Sequence, residues 1–457
     1  MKKVLTIFYF VLLSGSFAIA DYENYDGIWK NAANFSGKSM NYSSWINANV
    51  NGSDFSNAKL KEAVFSNAEI IECNFSNTTL KYADFSNATL TPSNYSNGIN
   101  RGTKFENANL TNANFSGTQL VGQYGSYVVF DNADITGTNF TNAIFAITRE
   151  DNHYTQDYAA VLNVSKLSSV NFGNAIFAVF TWGEGAAVDF SNKEFENVNF
   201  SNAVLSAKYW SGSNAKSVSF TNSTFKNCNF TGAILGVNGA TEGVNFCNFD
   251  LSCTNFSSAY LSGVSFENSN LSDVNLSNSQ MNEYTIFNGA NITNVNFSNA
   301  NGLTTSQLSQ TLNYKNKDLS GVKFNGLDLT NWILRGQNLQ NTSFAGANLT
   351  GVNARYADLR GSDLTGITGS LKTQNTIWTD GEIKNFTMES VDDSLTIRKY
   401  VPATSGGAMI NAKIVDDASI SGGAVLTLEQ GAVLEIASGK TLSVLDDSEI
   451  ILNVDAA

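Results

Sequence analysis

Residues 54–88 read DFSNAKLKEAVFSNAEIIECNFSNTTLKYADFSNA, and the string F-S-N-A returns at Phe55, Phe65 and Phe85. From Phe35 to Phe145, every residue whose number is divisible by five falls in one register. Of these 23 positions 21 are apolar or aromatic, the exceptions being Asn100 and Gly125. At 42% hydrophobic residues, chance would fill about ten. Two residues before each centre stands a small residue, with Lys38 and Gln123 as the exceptions. A period of five fits neither the helix, at 3.6, nor the flat strand, at two. It fits a chain that turns a corner every five residues, with one large and one small side chain facing inward and three polar ones facing out.

The unit resembles the pentapeptide-repeat family, whose motif A-(D/N)-(L/F)-x-x is matched by Ala83-Asp84-Phe85-Ser86-Asn87 and Ala108-Asn109-Leu110-Thr111-Asn112. The resemblance implies an all-β fold, a right-handed quadrilateral parallel β-helix with four pentads per coil. Residues twenty apart then stack. Phe55, Phe75, Tyr95 and Phe115 are expected to form one interior ladder and Phe65, Phe85 and Phe105 the opposite one, with Leu and Ile filling the other faces. After Gly125 the aromatic and aliphatic order flips, a slip of one pentad, so Val121 to Val129 read as a distorted or looped-out face.

The period returns in further runs, one reaching from Phe246 to Ile286 and the last from Leu319 to Leu364. Residues 21–366 therefore read as one interrupted solenoid of about 15 to 17 coils. Insertions fall near 146–169, 178–187, 236–243 and 301–317. The first two hold His153, Tyr154, Tyr158 and Trp182, the candidate recognition residues, because loops on a rigid scaffold are where recognition resides. In the fourth, Leu308 and Leu312 follow a Ser/Thr cluster at helical spacing, which predicts a short amphipathic helix with an N-cap.

Residues 367–380 read as a linker, and in residues 381–457 the grammar changes. Of 61 Asn only three lie beyond residue 380, and a period of eight replaces five: Leu426, Leu434, Leu442 and Ile450, with Leu428, Ile436, Val444 and Leu452 beside them. Strands of about five residues separated by polar turns are expected. This part resembles the β-solenoid segments of bacterial autotransporter passengers. It ends without a polar cap, so a continuation carrying a C-terminal anchor is expected.

Charge and address complete the reading. Met1-Lys2-Lys3, an apolar run from Val4 to Leu13 and the ending Ala18-Ile19-Ala20 form a secretory signal peptide over residues 1–20. No later stretch reads as a transmembrane segment. Net charge is −13, and −15 once Lys2 and Lys3 are removed. An acidic chain without basic patches excludes nucleic acid as a partner bound by phosphate neutralisation. Asp54, Asp84, Asp134, Asp328, Asp358 and Asp363 precede repeat centres and are expected to point to solvent. Cys73 and Cys228 take the small inward position; Cys247 and Cys253 face outward, where a disulfide can form outside the cytoplasm. His153 is the only histidine, and no nucleotide or metal motif is present, so no cofactor and no enzymatic activity are expected. The expected function is a secreted, periplasmic or cell-surface solenoid serving as a stalk or adhesion surface, with a protein or glycan partner. The alternatives are a DNA-mimicking inhibitor of a type II topoisomerase, which the signal peptide disfavours, and a polysaccharide-active β-helix protein.

Overall fold

The computed structural model describes residues 23–90, 102–122, 128–147, 160–164, 166–179, 188–206, 217–236 and 242–453. Each pentad makes one short face and one tight turn. In the face centred on Phe55, the amides of Phe55 and Asn57 donate to the carbonyls of Asn74 and Ser76 in the next coil. The amide of Ala58 closes the corner on the carbonyl of Phe55, and that of Lys59 reaches Lys38 of the preceding coil. The corner holds its second residue in the left-handed region, as at Asn57 (φ 58°) and Asn67 (φ 58°). Asn tolerates that conformation better than other side-chain-bearing residues, which is one physical reason for the Asn content.

Parallel bridges join the coils in four columns, one per face. The first runs from Asn24 through Ser44, Val64, Asp84 and Asn114 to Asp363, fifteen residues without a gap. The second runs from Trp29 to Asn301, also unbroken. Inside, the centres and the small residues form one continuous buried core from Phe35 to Leu359. Rings stack along the axis, Phe65 on Phe85 at 4.9 Å and Phe85 on Phe115 at 4.7 Å, while the two ladders meet edge to face, Phe55 and Phe65 lying 5.8 Å apart at 90°. Both are favoured aromatic geometries.

The ladder partners differ from the expected ones. Phe105 stacks on Phe75 at 5.2 Å and Phe115 on Phe85, because the bridge from Asn74 goes to Lys104, thirty residues on. Tyr95 lies outside the described residues. Phe and Leu centres alternate, so a ten-residue excursion returns Phe to Phe and Leu to Leu, and the sequence keeps its period while the coil skips two pentads. The one-pentad slip after Gly125 is present: Phe130 stacks on Phe105 and Phe140 on Phe115, each twenty-five residues on. Ile286 is not an inward centre. It is 39% exposed and pairs with Ser265 as a bridge residue, while Phe287 is buried, so the one-residue shift falls between Met281 and Phe287.

The expected helix at 301–317 is two helices, Thr305–Gln310 and Leu312–Lys315. Thr304 caps the first in a reciprocal capping box with Gln307, and Thr311 ends it and caps the second. Leu308 is buried, whereas Leu312 is 45% exposed. The first column passes this insertion through the bridge Asn296 to Lys323.

Residues 367–380 are built into the solenoid rather than acting as a linker, since Thr368, Lys372 and Ile377 bridge to Asn348, Asn353 and Asp358. Beyond them three parallel sheets of three strands each form a three-sided solenoid. Its faces are strands 382–383, 412–414 and 434–436; strands 387–388, 418–420 and 442–444; and strands 394–397, 425–428 and 449–452. The period of eight is one such face: Leu426 pairs with Ile450, three periods on. Ile414 and Ile420 are fully buried, while Ile436 and Val444, one coil further, are 45% and 41% exposed.

Candidate functional site

His153, Tyr154, Tyr158 and Trp182 lie outside the described residues, as do residues 1–22. Cys247 and Cys253 are free thiols, so the expected disulfide is not formed. Cys247 follows the centre Phe246 on one face, its Sγ 3.1 Å from Ser265 Oγ. Cys253 sits at the corner of the next face with φ 61°. Cys73 and Cys228 are buried, and burial pushes their thiols up to about 12 and about 11, which makes them inert as nucleophiles. Among the described residues no three His, Cys, Asp or Glu side chains converge to hold a metal ion, and no helix is long and apolar enough to cross a membrane.

On the first face, Asn residues do two jobs at once. Asn199 Oδ1 accepts the amide of Ser201, fixing the turn, and accepts Asn229 Nδ2 at 3.0 Å; its own Nδ2 donates to Asn171 Oδ1 at 2.8 Å. Asn139 donates to Asn114 and Asn114 to Asp84 in the same way. The result is a flat, half-buried amide column whose groups largely satisfy one another. A saturated surface of this kind offers little free hydrogen-bonding capacity to a ligand.

The third and fourth faces differ. The third column runs from Asn34 to Val161, then from Asp189 to Ser219, then from Asn245 to Ile286. The fourth runs from Ser39 to Asp134, from Lys166 to Thr224, and from Asp250 to Asn291. Up to Asn291 both are interrupted twice, at neighbouring levels, where the first two faces remain closed through Asn139 to Asn171, Asn229 to Asn255 and Ile234 to Tyr260. A cleft opens at each interruption. The upper has a volume of about 720 Å³ and is lined by Asn132, Asp134, Asn163, Asp189 and Lys193; the lower, about 580 Å³, by Thr221, Thr224, Phe225, Asn248 and Phe249.

One corner borders both clefts. Between these faces the corner position is Lys38, Ala58, Thr78, Ala108, Ala133, Lys193, Ser223, Phe249, Ser269, Ala290, Gln337 and Ala357 at the described levels. Of its bulky members Lys193 and Phe249 line the clefts, whereas Lys38 and Gln337 stand at closed levels. Phe249 stands edge-on to Phe225 at 5.7 Å and to Phe246 at 6.1 Å.

Two charged clusters flank these features. Glu196 takes Lys166 Nζ at 2.6 Å and Lys226 Nζ at 2.8 Å, one from each neighbouring coil, and those contacts lower its carboxyl to about 2. At the junction with the three-sided part, residues 398–410 lie against the outer surface of the solenoid. There Asp358, expected to face solvent, is fully buried, and so is Arg360. Arg360 pairs with Asp358 through two bonds of 2.9 and 2.6 Å and donates to the carbonyls of Ile410 and Arg398 at 2.9 and 2.7 Å.

A family model described as "Pentapeptide repeat region" matches residues 38–115, and one described as "Pentapeptide repeats (8 copies)" matches 103–145, 194–235, 242–281 and 334–366. No curated protein matches the chain. Similar solved structures include HetL, a pentapeptide repeat protein involved in heterocyst differentiation regulation in the cyanobacterium Nostoc, at 17% identity over 79% of this chain and 92% of that one, with a TM-score of 0.14. QnrB1, a plasmid-mediated fluoroquinolone resistance protein, is 17% identical over 64% of this chain and 92% of its own, with a TM-score of 0.18. A pentapeptide repeat protein from the thylakoid lumen of Arabidopsis thaliana is 27% identical over 26% and 70%, with a TM-score of 0.13.

Proposed function

Because the chain belongs to the pentapeptide-repeat proteins, we propose that it is an exported, non-enzymatic solenoid that holds a binding surface at a distance along a rigid rod. The observation that carries this reading is the first bridge column, fifteen residues without a gap over a single aromatic core. A stack so continuous transmits position along its length, because each coil is fixed by its two neighbours. Export is supported by the basic start, short apolar run and Ala18-Ile19-Ala20 ending. Its partner is a surface protein or glycan. An acidic rod is a poor ligand for phosphate-rich polymers. The test is fractionation of cells expressing the full chain, with N-terminal sequencing and protease treatment of intact cells. The expected result is a mature protein beginning at Asp21 and cleaved by added protease. Full-length protein retained in the cytosol would overturn export and bring the topoisomerase reading forward, to be checked by a supercoiling assay.

A further inference from the structure

We propose that the two clefts on the third and fourth faces are subsites for one neutral polysaccharide chain lying along the solenoid. This rests on the reading of the solenoid as a binding surface and names the ligand class and its place.

Position comes first. The clefts interrupt the same two faces, and two to three rungs separate them, about 10–14 Å at a spacing of about 4.8 Å per rung. One extended polymer can enter both, and a polymer bound at two linked points gains affinity over either point alone.

Chemistry narrows the class. Where the columns stop, strand edges on both sides of each cleft turn their backbone groups toward the opening, beside the hydroxyls of Thr221 and Thr224 and the carboxamides of Asn163 and Asn248. Such mixed donors and acceptors suit a ligand rich in hydroxyl groups. Phe225 and Phe249 give the lower cleft an apolar wall, the complement of a sugar ring's C–H face. In the upper cleft Asp134 and Asp189 face Lys166 and Lys193; the lower has only Asp250. Neither has the surplus of positive charge that an anionic polymer requires.

An inserted peptide strand fits less well. The rings of Phe220 and Phe246, on either side of the lower cleft, still stack at 5.7 Å, whereas admitting a strand between two coils needs about twice 4.8 Å. The opening is a wedge at the surface, deep enough for sugar hydroxyls and too narrow for a backbone.

The experiment uses the purified full chain in affinity gel electrophoresis and titration calorimetry with dextran, laminarin and galactomannan, with alginate as the anionic comparison and an extended oligopeptide as the peptide comparison. At least one neutral polysaccharide is expected to retard and bind the protein. Lys193→Ala and Phe249→Ala remove side chains that line the clefts, so each should weaken binding about tenfold or more while the β-type circular dichroism spectrum of the folded chain is kept. Three results would overturn the proposal: no neutral polysaccharide binds, binding survives both substitutions unchanged, or alginate or the peptide binds in preference. Because this is measured on purified protein, its failure is distinct from a failure of export in the fractionation experiment.

Discussion

Replacing Arg360 with Ala should loosen the three-sided solenoid and leave the amino-terminal coils intact. The guanidinium makes four hydrogen bonds, two to Asp358 and one each to the carbonyls of Ile410 and Arg398, and both charged side chains are essentially inaccessible to water. After truncation Asp358 keeps the amide of residue 360 and Gln340 Nε2 at 2.9 Å, and no cation. Removing one member of a buried pair costs about 3–5 kcal/mol, because the other charge stays behind without its partner. In a solenoid that loss stays near its site, since coils contact only their neighbours. Hydrogen exchange is the appropriate assay. Amides in strands 382–383, 394–397, 412–414 and 425–428 should exchange about 150- to 5,000-fold faster, the factor equivalent to 3–5 kcal/mol when exchange proceeds through local opening. Amides between residues 54 and 90 should keep their rates. The double variant Asp358→Leu with Arg360→Met should recover most of the protection, because an apolar pair of similar volume replaces a buried ion pair at little cost. Acceleration below tenfold in those strands, or equal acceleration in residues 54–90, would refute the reasoning.

Phe85→Ala removes a fully buried ring stacked between Phe65 and Phe115, and should cost about 3–5 kcal/mol in chemical denaturation; Phe85→Leu should cost clearly less. Gly361→Ala should destabilise the junction, because a Cβ there, at φ 69°, would lie 2.4 Å from the Tyr400 hydroxyl and 2.6 Å from Asn341 Oδ1; a melting temperature equal to that of the parent chain would contradict this. Asn199→Asp deletes the donor to Asn171 Oδ1 and sets two oxygens face to face, with an expected loss of about 1–2 kcal/mol at neutral pH that shrinks in acid as the new carboxyl protonates. Glu196 has its folded-state value lowered to about 2 by Lys166 and Lys226. Its contribution is therefore present above the ordinary carboxylate range and lost as pH falls toward 2. The acid unfolding profile of Glu196→Gln should accordingly differ from that of the parent mainly in the stability retained above about pH 4.5. Screening by salt should shrink the difference, because solvent reaches the group and both its lysine partners are exposed.

Much of the solenoid was legible because its information is local. Phe55, Leu60 and Phe65 declare inward positions within a few residues of each other, and Ala58 and Ala63 declare the corners. The Asn column was legible as composition, but not as a device in which Asn199 serves both its own turn and the coil beside it. The period stayed silent about the thirty-residue step from Asn74 to Lys104, since ten extra residues preserve the alternation of Phe and Leu. It misplaced Ile286 by one, where Phe287 offered an equally apolar centre. Lys193 and Phe249 could have been noticed as bulky residues at one corner, but that they line clefts depends on which coil lies beside them.

The sequence by itself determined the pentad, the identity of the inward side chains, the change of repeat near residue 380 and the acidic character of the chain. The pentad works through residues two to five apart, so sterics and turn chemistry decide it within the strand itself. Only the tertiary structure decided which residues meet between coils, because coil closure joins positions nineteen to thirty-two apart and the insertions set each length separately. It alone decided the fate of Asp358 and Arg360. By register both face water, yet chain fifty residues further on covers them, with Ile410 accepting from Arg360, and water is excluded from a pair that local pattern would leave exposed.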